Sequence, residues 1–177
     1  QSFPSSLFTR AREGADVELV VVAGQSNAVA SSEDGSLLTT DEFDAGIRFA
    51  VLAGTYPEDY QYPEGGRPAM KFDTLGQISN FAEVDRFGGF GVERGFARSL
   101  ADKGIRNVVV VKVAVNGKGL GKYWLKEDPS GLGLYDLLVD EVTAVVEQLA
   151  AEGLNCRLSA ILWPQFVNDC NQLDTAS

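Results

Sequence analysis

Val17-Glu18-Leu19-Val20-Val21-Val22-Ala23 is a short β-branched apolar run stopped by Gly24, the pattern of a strand covered on both faces. Ile47 to Ala53 is a weaker run of the same kind, and Asn107 to Val115 is the strongest in the chain. Leu158 to Trp163 is the last, closed by Pro164. Between these runs the period changes. Gly91 to Asp102 predicts a helix with Val92, Phe96 and Leu100 on one face, and Lys103-Gly104 supplies a basic last turn and a glycine stop. Leu134, Leu137, Leu138, Val142, Val145, Val146 and Leu149 recur at helical spacing up to Gly153. Residues 54–90, rich in Gly, Pro, Asp and aromatics, keep no sustained period and predict a long loop region. Covered strands alternating with helices imply parallel pairing through right-handed crossovers, hence an α/β sandwich.

Composition narrows the picture. A chain of 177 residues with 45 % apolar content is long enough for one sizeable core and too short for two comfortable domains. We read one domain over 1–177, with 164–177 as an irregular tail. Fifteen basic against 25 acidic residues give a net charge of −10, which repels phosphate backbones and anionic lipid. Nucleic acid and membrane surfaces are therefore not expected partners. No apolar run approaches the roughly 20 residues of a membrane span. The start, Gln1 to Ser6, lacks the basic end and apolar stretch of a signal peptide, although prior removal of one leaves secretion open. Two cysteines, Cys156 and Cys170, exclude a disulfide-stapled mini-fold. The chain holds 0 histidines, which removes both the commonest general base and the commonest transition-metal ligand. No metal and no cofactor is expected.

Candidate chemistry begins at Gly24-Gln25-Ser26-Asn27. In open parallel sheets the ligand site lies beyond the carboxyl ends of the strands, and Ser26 follows the end of the first strand by two residues. A serine there can point its hydroxyl into the crevice while backbone N–H groups face the oxygen of a tetrahedral intermediate. The tetrapeptide reads equally as a turn with helix-capping residues.

The order of segments resembles the carbohydrate O-acetylesterase branch of the SGNH hydrolases, including sialate O-acetylesterase-like and acetylxylan-esterase-like proteins. Val20 to Asn27 looks like the nucleophile block, and Gly89-Phe90-Gly91-Val92-Glu93 is similar to the Gly-Pro-Glu stretch that opens the next helix. Lys112 to Leu120 resembles the strand and glycine turn of the third block, and Leu162-Trp163-Pro164-Gln165 the start of a Trp-x-Gln-Gly-Glu-Ser-Asp block. The resemblance implies a three-layer sandwich with a parallel sheet, flavodoxin-like, in the spatial order second, first, third and fourth strand. It makes Ser26 the nucleophile, its own N–H and that of Gly117 the oxyanion donors, and Gln165 a site-lining residue. Asn116 reads either as an extra donor or as a turn residue before Gly117. The substrate it implies is an O-acetylated carbohydrate or another small acetyl ester.

Two departures from the pattern stand out. After Gln165 the chain has Phe166-Val167-Asn168-Asp169 where the family has Gly-Glu-Ser-Asp, and no Asp-x-x-His motif follows before Ser177. The final strand and helix are expected to be missing, and two functions stand side by side. One is an esterase working through a Ser26 acyl-enzyme; the other is an inactive form that keeps the pocket as a carbohydrate-binding or interaction module. With no fifth strand, the strand at 158–163 is expected to leave an open edge suited to homo-oligomer formation.

Weaker signals are discounted. Gly117-Lys118-Gly119-Leu120-Gly121-Lys122 fails both the dinucleotide fingerprint and the P-loop pattern. Tyr56 to Glu64 reads as sugar-stacking aromatics or as loop anchors. Asp41, Glu42 and Asp44 lack calcium-loop spacing and read as a solvated acidic turn. Cys156 and Cys170 flank a strand of about 20 Å at ~3.3 Å per residue, too far apart for a disulfide.

Overall fold

The computed structural model describes residues 15–29, 47–54, 79–80, 92–127, 133–165 and 169–170. Each of the four apolar runs becomes a strand: β1 (Val17–Gly24), β2 (Arg48–Gly54), β4 (Val108–Val115) and β5 (Cys156–Leu162). A two-residue strand, β3 (Ser79–Asn80), pairs antiparallel with β2 inside the stretch expected to be loop. Two residues are too few to leave an alternating pattern. The helices are α1 (Ser26–Val29), α2 (Val92–Asp102), α3 (Leu120–Tyr123) and α4 (Leu134–Ala151).

The sheet runs β3-β2-β4-β1-β5, with all four long strands parallel. This corrects the expected order, which placed the first strand between the second and third. Burial on both faces suits β1 and β4 equally to either central place, so the apolar pattern does not separate the two orders. The pairings Gly24↔Ala114 and Gly54↔Val115 do, because they put β4 between β1 and β2. Parallel pairing and the interior position of β1 agree with expectation.

Alternation along the strands sends residues to two cores. Leu19, Val21, Val109, Val111 and Val113 face α4, which contributes Leu134, Leu138, Val142, Val145 and Leu149. Val20, Val22, Val110 and Ala114 face the other way, against Ala28 of α1 and Phe96 and Leu100 of α2. The result is a three-layer α/β sandwich. Val92, expected on the packed face of α2, is exposed. Glu93 turns inward instead and is buried, on the helix face that carries the partly buried Phe96 and Leu100.

Between Leu158 and Ala160 the pairing of β5 with β1 slips by one residue, since Leu19 opposes Leu158 while Val20 opposes Ala160. A one-residue slip exchanges the faces. Cys156 and Leu158 therefore join the α4 core, whereas Ala160 and Leu162 join the opposite one. The slip returns Trp163 to the α4 face, where it packs edge-on against Trp124 with ring centroids 4.9 Å apart.

Both long helices stop by the same device. The N–H of Gly104 donates to the carbonyl of Ala101 and that of Ile105 to Leu100, while Gly153 donates to Ala150 and Leu154 to Leu149. Gly104 at φ 84° and Gly153 at φ 80° supply the left-handed residue this cap requires. Cys156 is buried and Cys170 exposed, and both are free thiols, in agreement with the strand-length expectation. Among the described residues no helix is long and apolar enough to cross a membrane, and no cluster of carboxylates and thiols is placed to hold a metal ion.

Candidate functional site

Strand register brings three expected segments to one end of the sheet. Gly24 ends β1 opposite Ala114 of β4, and Val22 opposes Leu162 of β5. Two residues further on, the chain reaches Ser26 beyond β1, Asn116-Gly117 beyond β4 and Pro164-Gln165 beyond β5. Neighbouring strands lie ~4.8 Å apart, so these turns leave the sheet side by side.

Gly24 makes the first turn possible. Its φ of 137° is barred to side-chain-bearing residues, and a Cβ there would lie 2.6 Å from the carbonyl oxygen of Pro164. The backbone after β5 thus presses directly on the turn that carries Ser26. Gln25 is fully buried, and the backbone of Ser26 opens α1, where the N–H of Ala28 donates to the carbonyl of Gln25 at 2.7 Å. α1 packs on β1 and β4.

Gly117 takes φ 72°, so the turn after β4 needs its glycine. Asn116 is half-buried, and its Oδ1 is buried without a hydrogen-bond partner among the described residues. Such an acceptor costs about 1–3 kcal/mol, a cost tolerated more readily at functional sites than elsewhere.

Gln165 joins the segments together. Its Oε1 accepts from Trp163 Nε1 at 3.3 Å, and its Nε2 donates to the carbonyl of Lys118 at 3.2 Å and to Asp169 Oδ2 at 2.7 Å. The N–H of Gly121 donates to Asp169 Oδ1 at 3.3 Å. Asp169 thus has both oxygens engaged and ties Gln165 to α3. Lys118 and Lys122 hold their ammonium groups 4.7 and 5.1 Å from the Tyr123 ring centroid, bringing positive charge to this end of an acidic chain.

One feature was missed in the sequence. Lys112 interrupts the run Val108–Val115, and its Nζ lies 2.9 Å from Glu93 Oε1 with both side chains buried. Burial pushes the Lys112 ammonium below its ordinary value, against the opposing pull of the Glu93 charge and hydrogen bond. The signal was present, because a single charge inside an otherwise apolar strand requires a buried partner. The Gly89-Phe90-Gly91 stretch, Tyr56 to Glu64, and the acidic residues Asp41, Glu42 and Asp44 lie outside the described residues.

Residues 16–177 match the family described as "Carbohydrate esterase, sialic acid-specific acetylesterase". Among solved structures, a protein from Arabidopsis thaliana is similar with a TM-score of 0.50 at 16% identity, over 86% of this chain and 58% of its own. A carbohydrate acetylesterase from Xanthomonas citri gives 0.48 at 17% identity, over 85% of this chain and 32% of its own. At such identity the Arabidopsis structure shows a shared fold. The chain spans less than two thirds of either protein's length. No curated protein matches it.

Proposed function

Because the chain belongs to the sialic acid-specific acetylesterase family of carbohydrate esterases, we propose that Ser26 is the nucleophile of an acetyl-ester hydrolase acting on O-acetylated sugars. The observation that carries this reading is the register that sets the turns at Ser26, Asn116-Gly117 and Pro164-Gln165 side by side at the carboxyl end of the sheet. In the reaction, Ser26 Oγ bonds to the acetyl carbonyl carbon as its proton passes to a base. The tetrahedral intermediate expels the sugar oxygen, which takes up a proton, and water then cleaves the acyl-enzyme to acetate. The N–H groups of Ser26 and Gly117 face the developing oxyanion. Asn116 joins them if its carboxamide rotates to replace the unpartnered oxygen with its NH₂ group. Lys118 and Lys122 suit an acidic sugar better than a neutral one.

The second reading, a binding module with little or no turnover, rests on the 0 histidines in these 177 residues. The Ser26 proton must then go to a weaker base or to a group outside them. General-base help is typically worth ~10²–10⁴-fold, so this chain is expected to cleave p-nitrophenyl acetate slowly. Its labelling by a fluorophosphonate should be correspondingly weak. The test compares both signals with those of Ser26→Ala. Their loss in the variant supports the esterase; equal signals in the two proteins remove Ser26 from the chemistry and leave the binding module.

A further inference from the structure

The buried pair of Glu93 and Lys112 takes no part in the reaction just described, yet Lys112 stands on the sheet face that carries α1, beside the strand that leads into Ser26. Lys112 opposes Val22 of β1 in register, two residues before the level at which Ala114 opposes Gly24. Strand spacing and rise put Gly24 ~8 Å away on the diagonal. The position of Lys112 falls on the α1 side of the sheet, between Val110 and Ala114, which pack with Ala28. Glu93 reaches it from the first turn of α2, and the two side chains are 1 % and 3 % exposed.

A buried ion pair is a poor way to gain stability. Removing two charges from water costs several kcal/mol per ion, and well-packed apolar residues of similar volume often serve as well or better. What an apolar pair lacks is direction. An N···O contact of 2.9 Å fixes both the height and the rotation of the α2 first turn over β4, whereas two apolar side chains tolerate sliding.

We infer that Glu93 and Lys112 are positioning residues: their ion pair sets the floor on which α1 seats and so holds the Gly24–Val29 turn in place. Its catalytic consequence rests on the reading of Ser26 as nucleophile, but the structural effect does not. The N–H of Ala28, donated to Gln25, reports the state of that turn directly. The amides of α4, on the opposite face, report the rest of the fold.

The test is amide hydrogen exchange on the full chain, with thermal unfolding and fluorophosphonate labelling measured in parallel. In Glu93→Leu/Lys112→Met the unfolding midpoint should hold or rise, while exchange at Ala28 quickens at least tenfold and α4 is unchanged. Glu93→Asp, one methylene shorter, should show the same local loss to a smaller degree, and it serves alone should the double variant fail to fold. Lys112→Arg keeps charge and donor and should retain most of the protection. Unchanged exchange at Ala28 in Glu93→Asp overturns the inference, as does a loss spread equally over α4. If labelling falls in step with Ala28 protection, the nucleophile reading stands as well. Local loss at Ala28 with no labelling of any form, wild type included, sinks the esterase and leaves the positioning role.

Discussion

Gly24 is the residue at which the least change should do the most harm. A methyl group there meets the Pro164 carbonyl at 2.6 Å and imposes a φ of 137° on an L-residue. Gly24→Ala should cost about 1–3 kcal/mol in urea unfolding and further weaken labelling of Ser26, since the turn must move to relieve the contact. A variant with wild-type stability would show that the 163–165 segment does not press on this turn. Glu18 contributes to the acid limit in a different way. Burial raises its carboxyl, but hydrogen bonds from Arg157 and Ser159 and the Arg157 charge outweigh that, leaving it below its ordinary value of 4.5. A carboxyl depressed in the folded state stabilises above its unfolded pKa, and that contribution disappears as pH falls through the folded one. Glu18→Gln should therefore lower stability at pH 7 and flatten the decline below about pH 4. Thermal midpoints measured from pH 7 to 2 would check it, parallel curves for the two proteins being the contrary result.

At the scale of elements, the two long helices end on a shared cap that can be tested cleanly. Among the described residues, a Cβ added at Gly104 or Gly153 meets nothing within 4 Å, so Gly→Ala changes the cost of the left-handed conformation and no contact there. Each substitution should lower stability by about 1–2 kcal/mol, and the two should add, the caps lying on opposite faces of the sheet. Asn in place of Ala should recover part of the loss. Urea midpoints of the singles and the double decide this, and a neutral Gly→Ala would mean the cap is not needed. These stops were legible in the sequence, because a glycine straight after an amphipathic period carries its own conformational reason. The inward turn of Glu93 was not. Read alone, it is an acidic residue suited to a helix N-terminus, and only the lysine across on β4 makes it buried.

At the scale of the whole molecule, β5 stands at one edge of the sheet formed by the described residues. Among the described residues it pairs with β1 alone, and Ile161 is 49 % exposed. Unpaired N–H and C=O groups beside an exposed apolar side chain favour pairing with a second chain. Sedimentation equilibrium should show concentration-dependent association that Ile161→Lys reduces, with unfolding stability held within ~0.5 kcal/mol. A protein that stays monomeric up to millimolar concentration would count against this.

The sequence by itself determined the four long strands, the two long helices and the family. Val17 to Gly24 and Asn107 to Val115 are apolar on both faces and have nowhere to lie but mid-sheet, and the block at Ser26 shares its residue order with a known group of esterases. Tertiary structure alone decided which of two equally buried strands stands beside β2, since burial records how deep a residue lies and not which strand adjoins it. It also decided the slip near Ser159, which turns Trp163 onto Trp124 and lets Gln165 reach Lys118 and Asp169. That slip is a property of the pairing between β5 and β1. No residue in Cys156–Leu162 announces it, because side chains of either parity find an apolar face on this sheet.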